Sequence, residues 1–164
     1  MSKTRRIALC GVLAGLAFGL SYIEMLLPTP GIVGAKLGLA NLAVLVALYL
    51  FSWREAAAVS GVRILLSWLL FGSFTGLIYS LAGGIVSLVI MALLKKLDRF
   101  SPVGVSIAGG VGHNLGQILA AFLLLGSGVL GYLPLLIILG AVSGAIIGIV
   151  AAILINALRK VVKS

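Results

Sequence analysis

At 164 residues the chain has the length of one domain, yet 62% of it is hydrophobic and only 9% is charged, with a mean hydropathy of +1.32. So few charges cannot cover a water-soluble fold of this size, which excludes a soluble enzyme, a disordered chain and a secreted disulfide scaffold. The composition is that of an all-α integral membrane protein, and the single cysteine, Cys10, lies in an apolar run where it reads as a small packing residue.

A spanning helix needs about 20 mostly apolar residues, and six such runs use up nearly the whole sequence. They are Ile7–Leu27, Lys36–Phe51, Arg54–Phe71, Thr75–Leu94, Val103–Leu125 and Tyr132–Leu158. The first is long and closes on Glu24 and a Pro28-Thr29-Pro30 turn without a small-x-small cleavage pattern, so it is expected to stay as a helix and not to be removed as a signal peptide. Breakers at Pro28–Gly34, Ser52-Trp53, Gly72-Ser73, Ser101-Pro102 and Gly126–Gly131 mark short connections. The second run has about 16 residues and spans only with help from the Gly-rich segment before it.

The charge of +9 reports orientation. With the amino terminus in the cytoplasm, Lys3, Arg5, Arg6, Arg54, Lys95, Lys96, Arg99, Arg159, Lys160 and Lys163 all fall on the cytoplasmic side, Lys36 on the other, and Arg63 within a span. The positive-inside rule is then obeyed at every loop and both termini are cytoplasmic. The cations meet anionic lipid headgroups, and no nucleic-acid partner is expected.

Small residues recur every fourth position as Gly11, Gly15, Gly19 in the first run and Gly140, Gly144, Gly148, Ala152 in the last. Such stripes let helix backbones approach closely. The last is expected to pack internally, and the first either packs internally or receives a helix of another protein.

Several polar residues lie at depths where lipid forbids them. Arg63 is about 13 Å into the third span at 1.5 Å per residue, and an arginine there costs roughly 2.5–3.5 kcal/mol on insertion scales. Ser60 and Ser67 share its face. The fifth span carries His113, Asn114 and Gln117 within five positions, more than helix packing requires. The segment from Pro30 to Asn41 joins a helix start to Lys36, an arrangement suited to anions, although Lys36 can equally snorkel to headgroups. Glu24 is the acid of the outer half and a natural partner for Lys36 or Arg63, and Tyr79 enters from the same side. Glu24, Lys36, Asn41, Arg63, Tyr79, His113, Asn114 and Gln117 thus fall at similar depths between the outer surface and the midplane, and they form the candidate substrate site.

Catalytic chemistry is not legible. Mg²⁺-dependent diphosphate chemistry needs several convergent carboxylates, and the acids are Glu24, Glu55 and Asp98, at different depths. Glu55 and Asp98 are expected to pair with Arg54 and Arg99 in cytoplasmic loops. One histidine makes no metal site, no serine, histidine and acid grouping fits nucleophilic catalysis, and the spacing near Lys36 is not a nucleotide-binding loop. No enzyme, metal or cofactor is expected.

The stretches Pro30-Gly31 with Lys36-Leu-Gly-Leu-Ala-Asn41, Leu48-Tyr-Leu-Phe-Ser-Trp-Arg-Glu-Ala56, Arg63, Ser80-Leu-Ala-Gly-Gly84, Ser101-Pro-Val-Gly-Val-Ser106 and His113-Asn-Leu-Gly-Gln117 together resemble the bacterial membrane family called Gx transporter, also labelled heptaprenyl diphosphate synthase component I. The likeness runs from about Arg5 to Arg159. That family is similar in fold to the six-helix S components of energy-coupling factor (ECF) vitamin transporters. The resemblance implies an S-component-like bundle in the bacterial cytoplasmic membrane that captures a small polar or anionic molecule from outside. It also implies partnership with a membrane coupling protein and two ATPase subunits, and release of the ligand inside by toppling. In such proteins the coupling face of the first helix carries alanines at four-residue spacing; here Gly11, Gly15 and Gly19 stand there. Two other readings remain open: a noncatalytic membrane accessory of polyprenyl diphosphate synthesis, and a membrane partner in quinone- or flavin-linked electron transfer.

Overall fold

The computed structural model describes residues 2–26 and 38–163, with side chains through residue 160. Every regular element among them is helical: α1 (Lys3–Leu26), α2 (Asn41–Leu50), α3 (Trp53–Phe71), α4 (Phe74–Lys96), α5 (Pro102–Leu125), a 3₁₀ segment (Ser127–Tyr132) and α6 (Leu133–Lys163). The breaks fall where local chemistry stops a helix. Ser52, Ser73 and Ser101 sit in extended backbone, and their hydroxyls accept from the N–H groups of Arg54, Gly76 and Gly104, filling donors that each new helix leaves open. Pro102 occupies the first turn of α5, where its missing N–H costs nothing. Gly126 ends α5 at φ +85°, a conformation a Cβ would strain.

Among the described residues four helices are long and apolar enough to cross a membrane: α1, α4, α5 and the stretch that includes α6. The protein is therefore a multi-pass membrane protein. Within the second run, expected to span only with help from the segment before it, the described helix α2 covers 10 residues, about 15 Å, half of a hydrocarbon core. Its helix begins at Asn41 because Gly38 turns the backbone at φ +75° and the N–H of Asn41 returns to the Gly38 carbonyl at 2.8 Å. Lys36 lies outside the described residues. The third run, α3, has 19 residues but carries Arg54, Glu55 and Arg63.

α2 forms the middle of the core. Ala43 through Leu48 are at most 1% exposed, because α1 and α3 pack on one side, α5 and α6 on another, and α4 touches it as well. A helix apolar all round is satisfied by such burial, as it would be by lipid. At the end of the bundle that carries most of the cations, Lys95 donates to the Leu48 carbonyl oxygen, filling an acceptor that the end of α2 exposes, and its ammonium lies 5.4 Å from the Tyr49 ring. Arg6 pairs with Glu55 across α1 and α3 and lies over the Phe51 ring. The sequence expectation that Glu55 pairs with Arg54 is thus corrected; Arg54 stacks on Trp53 instead.

The glycine stripe of α6 packs internally. A Cβ at Gly144 would stand 2.7 Å from the Ser106 carbonyl oxygen of α5, and one at Gly148 would stand 2.8 Å from the Val103 Cα. The two helices cross at backbone contact, which gives the close van der Waals packing that draws helices together in an apolar solvent. The stripe of α1 behaves differently: among the described residues Gly11, Gly15 and Gly19 have no neighbour within 4 Å of a Cβ position.

Candidate functional site

Polar side chains of α1, α3 and α4, among them Ser21, Glu24, Arg63, Ser67 and Ser80, converge on one space. A cavity of about 310 Å³ opens there, lined by Ser21, Glu24 and Met25 of α1, by Arg63, Ile64, Ser67, Trp68 and Phe71 of α3, and, past Gly72 and Ser73, by Gly76, Leu77 and Ser80 of α4. The spacing explains the lining: 63, 67 and 71 of α3, and 76, 77 and 80 of α4 with the capping residue 73 before them, recur at three and four residues and so share a face. Phe71 is braced from α1 by Phe18 and Tyr22, with ring centroids 5.6 Å and 5.5 Å away.

Arg63 is 4% exposed and Glu24 5% exposed. The Glu24 carboxylate acts electrostatically on the Arg63 guanidinium and accepts the backbone N–H of Gly38, which ties the approach to α2 onto α1. Among the described residues the buried Arg63 Nε and Nη2 atoms and the Ser67 hydroxyl have no hydrogen-bond partner. Arg63 reaches its place by passing α4 at a glycine: a Cβ on Gly84 would meet Ile64 at 3.2 Å and the Arg63 Nη2 at 4.0 Å.

The remaining predicted residues stand elsewhere. His113 and Gln117 pack onto α4 at the neighbouring glycine, where a Cβ on Gly83 would lie 2.9 Å from both side chains. Successive helical positions point about 100° apart, so Gly83 receives α5 while Gly84 receives α3. Gln117 and Tyr79 line a separate cavity of about 60 Å³ with Ile118, Ala121, Leu125, Val129, Tyr132 and Leu136. Both amide atoms of Gln117 and the Tyr79 hydroxyl are buried there without hydrogen-bond partners. Asn114 is 2% exposed and donates to the Leu136 carbonyl oxygen at 2.7 Å, joining α5 to α6. Asn41 Nδ2 lies 3.5 Å from Ser87 Oγ and joins α2 to α4.

Of the eight sequence candidates, the structure therefore brings Glu24 and Arg63 together in the larger cavity and Tyr79 and Gln117 in the smaller, with His113 beside Gln117. Asn41 and Asn114 serve helix contacts, and Lys36 is outside the described residues. Ser21, Trp68, Phe71 and Ser80 were missed as lining residues; only the recurrence of Trp68, Phe71 and Ser67 near the Arg63 face could have pointed to them. Among the described residues no three His, Cys, Asp or Glu side chains converge on a point that could hold a metal ion.

No curated protein and no solved structure matches the chain. Residues 13–154 match the family described as heptaprenyl diphosphate synthase component I, the family whose motifs the sequence resembles, and with most of its length covered the chain belongs to that family.

Proposed function

We propose that this protein is a noncatalytic, ligand-capturing subunit of the bacterial cytoplasmic membrane, similar to an ECF S component, that takes a small polar or anionic metabolite into the cavity between α1, α3 and α4. The observation that carries the reading is Arg63, an arginine 4% exposed in an apolar bundle with two guanidinium nitrogens unpartnered. An ionised group so placed is costly and is retained where it serves a function. A volume of about 310 Å³ is at the small end of ligand sites. In this reading both termini are cytoplasmic, the cavity opens outward, the helices cross the membrane six times with α2 completed by the segment before it, and the bare Gly11–Gly15–Gly19 face of α1 meets a coupling protein that works with two ATPases.

The family's name favours a second reading, in which the protein is one component of a prenyl diphosphate synthase and presents substrate to a soluble catalytic partner. The three acids do not favour catalysis by this chain itself: Glu24 lines the cavity, Glu55 is held by Arg6, and Asp98 follows α4.

Two measurements separate these readings. Native mass spectrometry of the detergent-purified protein is expected to find a retained small molecule, lost on Arg63→Ala; a wild-type protein that never carries one counts against capture. Affinity purification is expected to recover a membrane coupling protein with two ATPases, and recovery of a soluble prenyltransferase instead would favour the accessory reading. Orientation has its own check. In a Cys10→Ala background, a cysteine at Ser2 is expected to react with an impermeant maleimide only after the cytoplasmic side is opened, and one at Ser127 without opening; the reverse pattern overturns the topology.

A further inference from the structure

We infer that the guest of the α1–α3–α4 cavity is a small monocarboxylate with an apolar body, its carboxylate docked on the Nε–Nη2 edge of Arg63; this rests on the capture reading above and names the ligand class. The atoms left without partners decide the geometry. In a guanidinium, Nε–H and one N–H of Nη2 point in parallel from the same edge, and that edge matches the two oxygens of a carboxylate or phosphate. These are the two nitrogens of Arg63 that are buried and unpartnered. One turn further along α3 the buried Ser67 hydroxyl, also unpartnered, lines the same cavity and supplies a third donor.

Charge then selects between the two oxyanions. Among the described lining residues Arg63 is the one cation and Glu24 the one anion, so the described lining carries no net charge before the guest arrives. A monoanion adds a single charge, placed against the guanidinium. A phosphate monoester brings about −1.5 to −2, and a diphosphate more, which this cavity would bury uncompensated. The wall beyond the fork is apolar, formed by Trp68, Phe71 and Leu77, so the body of the ligand is expected to be flat or aliphatic and short, in keeping with the volume.

Trp68 reports on this directly. The chain has two tryptophans, and Trp53, at the other end of α3, is 57% exposed; Trp53→Phe leaves Trp68 as the sole emitter. In that background, detergent-solubilised protein freed of retained ligand is titrated with benzoate, phenyl phosphate and benzamide as probes. Benzoate is expected to give a saturable change in Trp68 emission and the neutral isostere benzamide none at the same concentrations, with phenyl phosphate binding more weakly. Arg63→Lys keeps the charge and removes the fork, and should weaken benzoate by roughly tenfold or more; Ser67→Ala should weaken it by a smaller factor without touching the charge. Benzamide binding as well as benzoate, or Arg63→Lys binding as well as the parent, overturns the fork. Phenyl phosphate binding more tightly than benzoate overturns the charge selection. A retained molecule found by mass spectrometry to be neutral or a diphosphate refutes the carboxylate and leaves capture standing, whereas silence to all three probes with no retained molecule refutes both.

Discussion

Arg63→Met is expected to abolish ligand capture and to leave a folded bundle whose thermal stability is held or raised. Placing an arginine at the centre of a membrane helix costs roughly 2.5–3.5 kcal/mol, and here Nε and Nη2 recover none of that through hydrogen bonds within the protein. Methionine has a similar reach, no charge, and adapts to irregular space. The gain is limited because Glu24 loses the attraction of the guanidinium, but its carboxylate keeps the Gly38 N–H. A net change between zero and about +2 kcal/mol follows from those opposing contributions. Thermal unfolding in detergent, read beside native mass spectrometry of the same sample, checks both halves. A variant that unfolds would show that Arg63 serves as a structural tie, and one that still retains its ligand would remove Arg63 from the site. This trade, in which a group lowers the stability of the empty protein and strengthens binding, is the signature of a functional residue.

The second large effect belongs to the α5–α6 crossing, where Gly110→Val should disrupt the fold. A Cβ at Gly110 would overlap the Gly140 carbonyl, and one at Gly140 would lie 2.8 Å from the Gly110 carbonyl oxygen and 3.0 Å from Asn114 Nδ2. The obstruction is helix backbone on both sides, so no rotamer change relieves it. Overpacking of a core usually costs about 1–3 kcal/mol; a branched side chain against rigid backbone is expected at or above the top of that range. The same displacement pulls Asn114 from the Leu136 carbonyl oxygen, leaving a buried amide without its partner at a further cost of about 1–3 kcal/mol. Gly15→Ala is the matched control. Nothing lies within 4 Å of its Cβ position, and alanine is the better helix former by up to about 1 kcal/mol, so stability should hold or rise. Denaturant unfolding of both variants tests the contrast, and equal damage from the two would contradict the assigned packing.

Gly15→Ala also bears on partners. The stripe of α1 leaves its positions bare while that of α6 is consumed by α5, although the two read alike in sequence. A periodic small-residue pattern says that a helix can be approached closely; what approaches it depends on which helix folds alongside.

How much was legible follows from the same distinction. The helical class, the number of helices, the serine and glycine breaks and the membrane setting all came from local chemistry, since apolar runs and caps act within a few residues of where they stand. The start of α2 at Asn41 was not legible because the apolar run from Lys36 to Phe51 continues through Gly38, and a positive φ there is invisible to hydropathy. Its burial on every side was equally hidden, since a short run apolar all round fits either lipid or a core. Depth along a span could be counted, because an α-helix rises by a fixed amount per residue. Glu24, Arg63, Tyr79, His113 and Gln117 were accordingly read as one layer.

Direction around the helix axis was what the sequence by itself left undetermined, and the tertiary structure decided it. Gly83 and Gly84 are adjacent in the chain, yet one admits His113 and Gln117 from α5 and the other admits Arg63 from α3, which divides the layer into two cavities. Residue order alone establishes that this is a helical membrane protein with charge where lipid cannot solvate it. Which of those charges face a common space depends on the azimuth each helix adopts against its neighbours, and that azimuth is set by long-range packing, which no local run of residues encodes.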